Sequence, residues 1–357
     1  MQVADSICCS LINYPDIDFV VVLSHYFKET KERLIRQKSP NLEIVDYTIG
    51  RNPWLLLTGR DKFLDNLVKQ KKIDCVLSVF GPILWVPRCR HVSGFARPHI
   101  VIPDSPYFSR MGKLSLLKER IHNKILLFYF KRTSRIYFTE NPFITKRLAV
   151  LMPRSKVVTI TNFYNQVYDH KELWNYLKLP PFAGNTLLTV SNYYPHKNLG
   201  IILDILPILE EKYGVKNIRF ILTIDKSSYP TVPDKYKNNI LFTGTVDISV
   251  CPSLYEQADI VFQPTLLECF SVTYAEAMRM QKPLITTNLE FAKGLCGDAA
   301  IYYDATSAEE AAKTIWEVIS QDDLKKELVK KGLEQIKTFD SYDDRVEKIL
   351  NLCTSKE

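Results

Sequence analysis

The sequence predicts an α/β fold of parallel β-sheets, organised in two domains. Short apolar runs alternate with segments of helical periodicity along the chain, which is the pattern of β-α-β units. The length of 357 residues exceeds what one hydrophobic core ordinarily serves, so two domains are expected. A hydrophobic content of 46% and a charged content of 24% are those of a soluble globular protein.

Strands in the first half are predicted where apolar and β-branched residues cluster, and helices where apolar residues recur every three or four positions. The strand candidates are Asp18–Leu23, Leu42–Tyr47, Cys75–Val79, His99–Ile102, Arg135–Phe138 and Lys156–Ile160. The helix candidates are residues 7–18, 27–38, 58–71, 113–132 and 142–150. The chain opens with a helical segment, Gln2–Ile12, where such sheets usually open with a strand and a glycine-containing turn. The hypothesis is that this strand and turn are absent from the sequence.

The second half repeats the same alternation after a connection at 161–184 that contains Pro180, Pro181 and Gly184. Its strand candidates are Asn185–Val190, Arg219–Thr223, Ile240–Thr243, Ile260–Gln263, Pro283–Thr286 and Ala300–Tyr303. Its helix candidates are residues 198–213, 251–257, 273–280, 289–294, 307–320 and 321–337.

Several classes of protein are excluded by what the sequence lacks. It contains neither a G-x-x-x-x-G-K-[ST] loop nor a G-x-G-x-x-G turn, which argues against a P-loop ATPase and removes the usual signature of NAD binding. The eight cysteines are scattered and form no C-x-x-C pair, so neither a metal site nor a disulfide framework is predicted, and the cytoplasm is the expected compartment. No apolar run is long enough to cross a bilayer, and no signal peptide is recognised.

Charge is unevenly distributed, which points to an anionic partner of the first half. Residues 1–165 hold 26 Lys and Arg against 13 Asp and Glu, whereas the rest of the chain holds 21 against 27. The helix candidate 113–132 is apolar on one side and basic on the other. It is expected either to lie on an anionic membrane, at its inner face, or to pack against the sheet. Nucleic acid is not the predicted partner, because no recognised binding motif accompanies the charge.

Two acidic residues stand between a predicted strand and a predicted helix. Glu268 follows the strand Ile260–Gln263, and Glu276 falls in the helix that starts near residue 273. Open α/β sheets bind ligands beyond the carboxyl ends of their strands, and a carboxylate can accept hydrogen bonds from both hydroxyls of a diol. The pair therefore suits a polyhydroxylated ligand. The alternative for Glu276 is a capping box with Thr273, in which it would bond only backbone.

A second candidate region follows the strand Asn185–Val190. There, His196 and Lys197 precede the next helix, for which Asn198 is the expected N-cap. A cation at the positive end of a helix dipole is unfavourable unless an anion binds between them, which predicts a phosphate site. The alternative is a solvated lysine that points away. Gly244, at the end of another predicted strand, would let the backbone approach a nucleobase closely, although a glycine there is also typical of a simple turn.

Taken in order, these segments resemble the retaining glycosyltransferases of family four (group 1), which have the GT-B fold. The resemblance covers residues 184–340 well and the first half more loosely. Its segments in the second half are Val190–Asn192, Lys197-Asn198, Phe242–Gly244, Leu254–Asp259, Pro264, Glu268–Met278, Pro283–Thr286 and Gly297–Ala300. Those in the first half are Phe80–Pro82, Gly94–Ala96 and Thr161-Asn162.

The resemblance implies two Rossmann-like domains facing a cleft. Residues 1–165 would form the acceptor side, residues 166–340 would bind a nucleotide-sugar donor, and a helix within 341–357 would cross back to the first domain. The donor is a co-substrate, and no cofactor or metal is implied. The expected reaction is a same-face displacement in which the leaving phosphate helps to take the acceptor proton. The expected acceptor is a glycan or a lipid-linked glycan.

The resemblance also implies roles for individual residues. Lys197 would contact the donor diphosphate, Glu268 the sugar and Glu276 the ribose hydroxyls. On the acceptor side a histidine is expected, and His99 is preferred to His91, although the alternative for either is a structural role. Asp104, in the loop after the predicted strand, is an equal candidate. The catalytic candidates are thus Glu268, Lys197 and His99. The other donor-site candidates are Asn192, His196, Gly244, Thr245, Val246, Phe270, Ser271 and Val272.

The chain departs from the family pattern at three of these positions. Asn192 stands where an arginine is common, and Cys269 and Ser271 stand where glycines are common. Asn192 cannot neutralise a phosphate, so Lys197 would carry that role. Two alternatives remain open beside the transferase. One is a nucleotide-sugar epimerase on the same fold; the other is a catalytically weak nucleotide-binding partner subunit, which Asn192 and the missing first strand suggest.

Overall fold

The computed structural model describes residues 2–37, 39–50 and 53–355, except for the side chains of Gln2, Glu29 and Gln37. The end residues of the predicted domains 1–165 and 341–357, and Lys38 of the helix candidate 27–38, lie outside the described residues. Contacts divide the chain into two compact units. Unit 1 contains the described residues up to Val101, then Leu117–Asn165 and those from Asp340 onward, and unit 2 contains Ile102–Leu116 and Gln166–Phe339.

Strands and helices alternate through both units. The strands are β1 Phe19–Leu23, β2 Leu42–Asp46, β3 Cys75–Ser78, β4 Arg90–Gly94, β5 Ile136–Thr139, β6 Lys156–Thr159, β7 Asn185–Thr189, β8 Ile218–Leu222, β9 Ile240–Phe242, β10 Ile260–Gln263, β11 Leu284–Thr287 and β12 Ile301–Tyr303. The helices are α1 Gln2–Ser10, α2 Lys28–Gln37, α3 Pro53–Thr58, α4 Lys62–Gln70, α5 Pro98–Val101, α6 Pro106–Ser109, α7 Lys113–Thr133, α8 Pro142–Leu151, α9 Ile201–Tyr213, α10 Cys251–Glu256, α11 Val272–Arg279, α12 Glu290–Cys296, α13 Ala308–Ser320, α14 Asp322–Gln335 and α15 Tyr342–Thr354.

Unit 1 is built on parallel strands. Strands β3, β4, β5 and β6 pair in that order, and β1 pairs with β2. Val92 of β4 and Phe138 of β5 are buried in one cluster with Ile7 of α1 and Ile349 of α15. The carboxyl-terminal helix therefore completes the core of unit 1, because its apolar face covers this sheet together with α1.

Every strand candidate except His99–Ile102 is confirmed to within one residue at either end. That segment instead forms the short helix α5, which starts at Pro98, where the fixed φ of proline suits a first helical turn. The strand of this region is β4, which the sequence does not reveal because its buried face carries polar residues. His91 of β4 is 7% exposed and bonds Ser78 Oγ at 2.9 Å and the Thr133 carbonyl at 2.6 Å.

Two helix candidates are shorter than predicted. The candidate 7–18 is α-helical only to Ser10 and continues as a 3-10 turn to Asn13. It ends there because Pro15 disfavours a helical conformation at Tyr14. The candidate 58–71 is replaced by two helices, α3 and α4, that are separated at Gly59. Gly59 has a φ of +68°, a left-handed conformation that favours glycine, and Asp61 then caps α4 by accepting a bond from Leu64 N.

A buried polar cluster holds α15 within unit 1. Arg345 is 3% exposed; its guanidinium donates to Ser6 Oγ at 2.7 Å and to Asn162 Oδ1. Glu140 is 6% exposed, and burial raises its pKa to about 7 although Arg345 opposes this shift. A buried charge is tolerated only with such partners, so the cluster specifies where α15 docks.

Unit 2 contains a six-stranded parallel sheet in the order β12-β11-β10-β7-β8-β9. The chain runs outward from β7 to β8 and β9, and then outward on the other side from β10 to β11 and β12. Its core is continuous on one face, where Phe220, Phe262 and Tyr303 pack with apolar residues of α9 and α13. The reversal of direction leaves β7 and β10 as neighbours, and their carboxyl ends form the switch point of the sheet.

Among the described residues, no helix has both the length and the apolarity that crossing a membrane would require.

Candidate active site

Lys197 and Glu268 lie together at the switch point of unit 2. Lys197 is in the loop after β7, and Glu268 is in the loop after β10. The Lys197 ammonium donates to Glu268 Oε1 at 2.8 Å. Their side chains are 17% and 9% exposed, respectively. The structure therefore brings together two residues that are seventy-one positions apart in the sequence.

Such an ion pair is a weak source of stability but a suitable ligand site. Removing two charges from water costs free energy that their attraction offsets only partly. The ammonium has hydrogens beyond the one that Glu268 accepts, and the carboxylate has further lone pairs. The Lys197 ammonium can thus donate to an anion while the Glu268 carboxylate accepts from hydroxyl groups. A sugar phosphate, which carries both an anion and hydroxyl groups, needs both kinds of partner.

The two loops are also joined through their backbones. The His196 carbonyl accepts from Leu266 N at 2.8 Å and from Thr265 Oγ1 at 3.4 Å. The His196 ring stacks on Tyr194, with ring centroids 5.6 Å apart. Hydrogen bonds therefore fix the loop before Lys197 against the loop before Glu268, and they position the two side chains that form the ion pair.

A segment from earlier in the chain contacts the same loops. Ser105, which is 6% exposed, donates from Oγ to the Leu266 carbonyl at 2.7 Å. Arg110 donates to Asn198 Oδ1, and the Tyr107 ring lies edge-on to His196 at 6.0 Å. These residues belong to Ile102–Leu116, which makes its contacts within unit 2 although the sequence alone assigns it to residues 1–165.

Asn198 is not the N-cap of the next helix, contrary to the prediction. Residues Pro195–Lys197 form a 3-10 turn, Asn198 adopts a left-handed φ of +56°, and α9 begins only at Ile201. Asparagine tolerates this conformation better than most residues, so it ends the turn here. Lys197 is consequently separated from the first turn of α9, and its placement depends on Glu268 rather than on the helix dipole.

Glu276 lies in the interior, within α11. Its side chain is 2% exposed, and Oε2 accepts from the Tyr255 hydroxyl at 2.8 Å. The capping-box alternative is wrong, because α11 begins at Val272 with Ser271 as its N-cap, which places Glu276 beyond the first turn. Burial raises the pKa of Glu276 to about 7, although hydrogen bonds with Tyr255 and Tyr168 lower it.

Replacing Glu276 with glutamine is expected to flatten the dependence of stability on pH. The pKa of Glu276 is about 7 in the folded state against an ordinary 4.5, so the folded state keeps a proton that the unfolded state releases. The free energy of unfolding therefore falls by up to about 3 kcal/mol as pH rises through this interval. Urea titrations of both proteins at about pH 4.5, 6 and 7.5 measure the effect.

Glu140 provides the internal reference for that measurement. Burial also raises its pKa to about 7, so it lowers stability in the same pH interval and with the same sign. In the Glu276→Gln variant, the free energy of unfolding is therefore expected to fall less steeply with rising pH, because only Glu140 still contributes. In a Glu140→Gln variant, the contribution of Glu140 is lost and that of Glu276 remains. Identical slopes for the wild type and the Glu276→Gln variant would contradict the assignment.

The remaining donor-site candidates lie in loops of unit 2 near the carboxyl ends of its strands. Asn192 is exposed in the loop after β7, and the preceding Ser191 N donates to Thr223 Oγ1 at 2.9 Å. Gly244 has a φ of +73°, and a Cβ there would lie 3.3 Å from Asp225 Oδ1. Thr245 is exposed and Val246 half-buried after it, while Phe270, Ser271 and Val272 lead into α11.

The histidine candidates lie in unit 1. His91 is buried, and both of its ring nitrogens have partners within the core. Nδ1 donates to the Thr133 carbonyl, so Nε2 accepts from the Ser78 hydroxyl. His99 is half-buried in α5, and burial lowers its pKa. Its carbonyl accepts from Asn123 Nδ2 at 3.1 Å. Asp104 is exposed, and it belongs to the segment Ile102–Leu116, which is part of unit 2.

Three partners of the site have no distinct signal in the sequence. Tyr255, Ser105 and Arg110 are ordinary residues in their local contexts, and only the fold brings them to Glu276 and to the two loops.

A hollow of about 420 Å³ elsewhere in unit 2 is lined by Asp259, Pro283 and Lys330, among others. It lies at the amino ends of β10 and β11, the edge opposite the switch point, so we do not assign the site there.

The comparisons with known proteins agree with the predicted resemblance. Residues 184–321 match the family model described as Glycosyl transferases group 1. The alpha-galactosylglucosyldiacylglycerol synthase of Streptococcus pneumoniae (strain ATCC BAA-255 / R6) is 25% identical in an alignment of 219 residues that covers 56% of this chain. The chain spans about half the length of that relative, 55%.

Solved structures extend the likeness to both units. A glycosyltransferase from Rickettsia africae ESF-5 has a TM-score of 0.64 and 16% identity, covering 94% of this chain and 97% of its own. TarM of S. aureus, in a complex that includes UDP, has a TM-score of 0.55 and 15% identity, covering 75% and 51%. The predicted α/β fold of the GT-B type is thereby confirmed.

Proposed function

We propose, from the premise that residues 184–321 form a domain of the group 1 glycosyltransferase family, that this chain transfers a sugar from a nucleotide-sugar donor to a glycan or lipid-linked glycan. We further propose that the transferred sugar is a hexose and that transfer retains its anomeric configuration. The observation that carries the proposal is the Lys197–Glu268 pair, held at 2.8 Å at the switch point of the unit 2 sheet. A cation and a hydroxyl acceptor side by side match the diphosphate and sugar of such a donor.

The donor is assigned along the loops of unit 2. Lys197 neutralises the diphosphate, aided by His196 and by the amide of Asn192. Glu268 accepts bonds from the sugar hydroxyls, near the amides of Phe270, Ser271 and Val272. Glu276 orients the ribose, which requires it to exchange a tyrosine partner for the ligand, and the residues bordering the base are Gly244, Thr245 and Val246.

The reaction follows from these contacts. The acceptor oxygen forms a bond to the anomeric carbon while the bond from that carbon to the diphosphate oxygen breaks on the same face. The acceptor proton passes to the leaving phosphate, whose charge Lys197 stabilises. His99 is proposed on the acceptor side, where burial lowers its pKa and keeps the imidazole neutral, able to accept a hydrogen bond from a hydroxyl.

The acceptor and its location form a finer part of the proposal. The name of the streptococcal relative states the synthesis of a glycosyldiacylglycerol, which favours a lipid-linked acceptor for this chain. We place the reaction in the cytoplasm, at the inner face of an anionic membrane. The reaction as proposed needs no resident cofactor or metal, since Lys197 supplies the positive charge at the diphosphate.

A panel of nucleotide-sugars tests the proposal. Purified protein is incubated with UDP-, GDP- and ADP-linked hexoses, with and without a diacylglycerol or glycolipid acceptor, and products are followed by mass spectrometry and proton NMR. Acceptor-dependent release of the nucleotide with a retained anomeric configuration is expected. Formation of an isomeric nucleotide-sugar would instead identify an epimerase, and tight binding without turnover would identify a partner subunit; either result would overturn the proposal.

Arg110→Ala is expected to raise the KM for the donor roughly tenfold, about 1.4 kcal/mol, with a smaller change in kcat. The reason is that Arg110 holds Asn198, and loss of this bond loosens the turn that carries Lys197. Initial rates at varied donor concentration measure it. Arg110→Lys should restore part of the affinity, and Arg154→Ala, an exposed arginine of unit 1, serves as the control. An unchanged KM would show that the turn stays in place without Arg110.

A further inference from the structure

Helix α7 exposes a stripe of large apolar side chains in unit 1. Leu117, Ile121, Ile125 and Phe128 are 54%, 52%, 49% and 57% exposed. They follow one another at intervals of three or four residues, so they lie on one face of the helix. The opposite face is the one that packs inward, where Phe130 is fully buried. The helix therefore covers the core of unit 1 and still presents an apolar surface to solvent.

Helix α3 extends this surface at the carboxyl end of α7. Trp54 and Leu57 are 64% and 77% exposed. Arg132 of α7 donates to the Leu56 carbonyl at 2.8 Å and to the Leu57 carbonyl at 2.6 Å, which joins the end of α3 to α7. Arg132 follows Phe128 by one helical turn, so both lie on the same face. We call the six residues Trp54, Leu57, Leu117, Ile121, Ile125 and Phe128 the apolar patch.

Basic side chains border the apolar patch. Helix α7 holds six Lys and Arg against a single Glu. Lys118, Arg120, Lys124 and Lys131 are exposed along it. Single exposed apolar residues need no explanation, but six in one patch, bordered by one sign of charge, mark an interaction site. The excess of positive charge in residues 1–165 has the same sign.

We propose that the apolar patch is a docking surface for an anionic lipid bilayer, on which unit 1 rests peripherally. Leucine, isoleucine and phenylalanine side chains enter the boundary between headgroups and acyl chains, while the lysines and arginines beside them contact anionic headgroups. Trp54 is of the residue type that favours this boundary. A protein partner would not require that the charged residues beside the patch be lysines and arginines, whereas an anionic bilayer would. The bilayer is therefore the occupant that we assign to the surface.

The inference rests on the proposed function in one respect, the location of the reaction at an anionic membrane. Vesicle binding tests it without any sugar transfer, so its failure and a failure of the transferase activity are distinguishable. Wild-type protein is sedimented with phosphatidylcholine vesicles that contain or lack phosphatidylglycerol. We expect at least tenfold stronger partitioning into the anionic vesicles. The double variant Leu117→Asn/Phe128→Asn and the double variant Lys124→Glu/Lys131→Glu should each lose tenfold or more. Val150→Asn is the matched control, because Val150 of α8 is 80% exposed in the same unit and lies outside the patch.

Trp54 supplies a second, local readout. Its fluorescence should shift to shorter wavelength when anionic vesicles are added, and this change should vanish in Trp54→Phe. Circular dichroism and thermal melting confirm that each variant is folded. Equal partitioning of the wild type and both double variants would overturn the inference. So would a dimeric mass in solution that Leu117→Asn/Phe128→Asn converts to a monomer, since the patch would then be an interface between two copies.

Discussion

Lys197→Ala is expected to raise the Kd for a nucleotide-sugar at least a hundredfold, about 3 kcal/mol. The substitution removes the cation assigned to the diphosphate and also leaves the Glu268 carboxylate, 9% exposed, without its partner. The two effects act in the same direction, because an uncompensated Glu268 would repel the incoming phosphates. Isothermal titration with the donor, and separately with the nucleoside diphosphate, measures the loss.

A set of variants separates these two effects. Glu268→Gln is expected to keep affinity for the nucleoside diphosphate and to lose turnover, because the sugar contact is weakened while Lys197 remains. Lys197→Ala/Glu268→Gln should regain some of the affinity that Lys197→Ala loses, since the repelling charge is gone. Lys326→Ala is the control, an exposed lysine in α14 paired with Asp323. Donor affinity of Lys197→Ala equal to that of wild type would remove Lys197 from the site.

Glu276→Ala is expected to weaken donor binding by a comparable factor, roughly a hundredfold, because the ribose hydroxyls would lose their acceptor. It is also expected to lower the free energy of unfolding by about 2 to 4 kcal/mol, since it empties a buried site and leaves the Tyr255 hydroxyl without its acceptor. Donor titration and urea titration on the same preparation measure the two losses separately.

Tyr255→Phe distinguishes a ligand contact from a structural role. This variant removes one hydrogen bond from Glu276 but leaves the carboxylate in place. If Glu276 binds the donor, the phenylalanine variant should retain affinity within about threefold while losing about 1 kcal/mol of stability. If both variants lose stability and neither loses affinity, Glu276 is part of the core and does not bind the ribose.

The polar strand β4 and the short helix α5 show where sequence patterns mislead. A strand is recognised by its apolar residues, but β4 buries His91 and Ser93, and His91 is satisfied by Ser78 and Thr133. These partners lie in β3 and α7, so they cannot be predicted from the residues next to β4 in the sequence. The apolar run near Ile100 has the residue pattern of a strand, but it forms a helical turn buried against the rest of unit 1.

The positions of Lys197 and Glu268 could be predicted from the sequence, but their contact and the conformation of Asn198 could not. Lys197 and Glu268 each follow a strand that hydrophobic pattern alone identifies, so their position at the carboxyl edge of a sheet was predictable. Their contact depends on β7 being the neighbour of β10, which in turn depends on the order of strands in the sheet. Asn198 is not the N-cap that the sequence predicts, because a turn of Pro195–Lys197 delays the start of α9 to Ile201 and such a turn leaves no periodic signal.

The sequence by itself determined the alternation of strands and helices and the parallel α/β class. It also determined the loops that carry Lys197 and Glu268 and the helix that carries Glu276, because these follow from residue types that are near one another in the chain. Only the tertiary structure decided that Lys197 pairs with Glu268, that Glu276 is buried against Tyr255, and that one face of α7 remains exposed. Each of these depends on contacts between distant segments, and hydrophobic periodicity does not specify which segments meet.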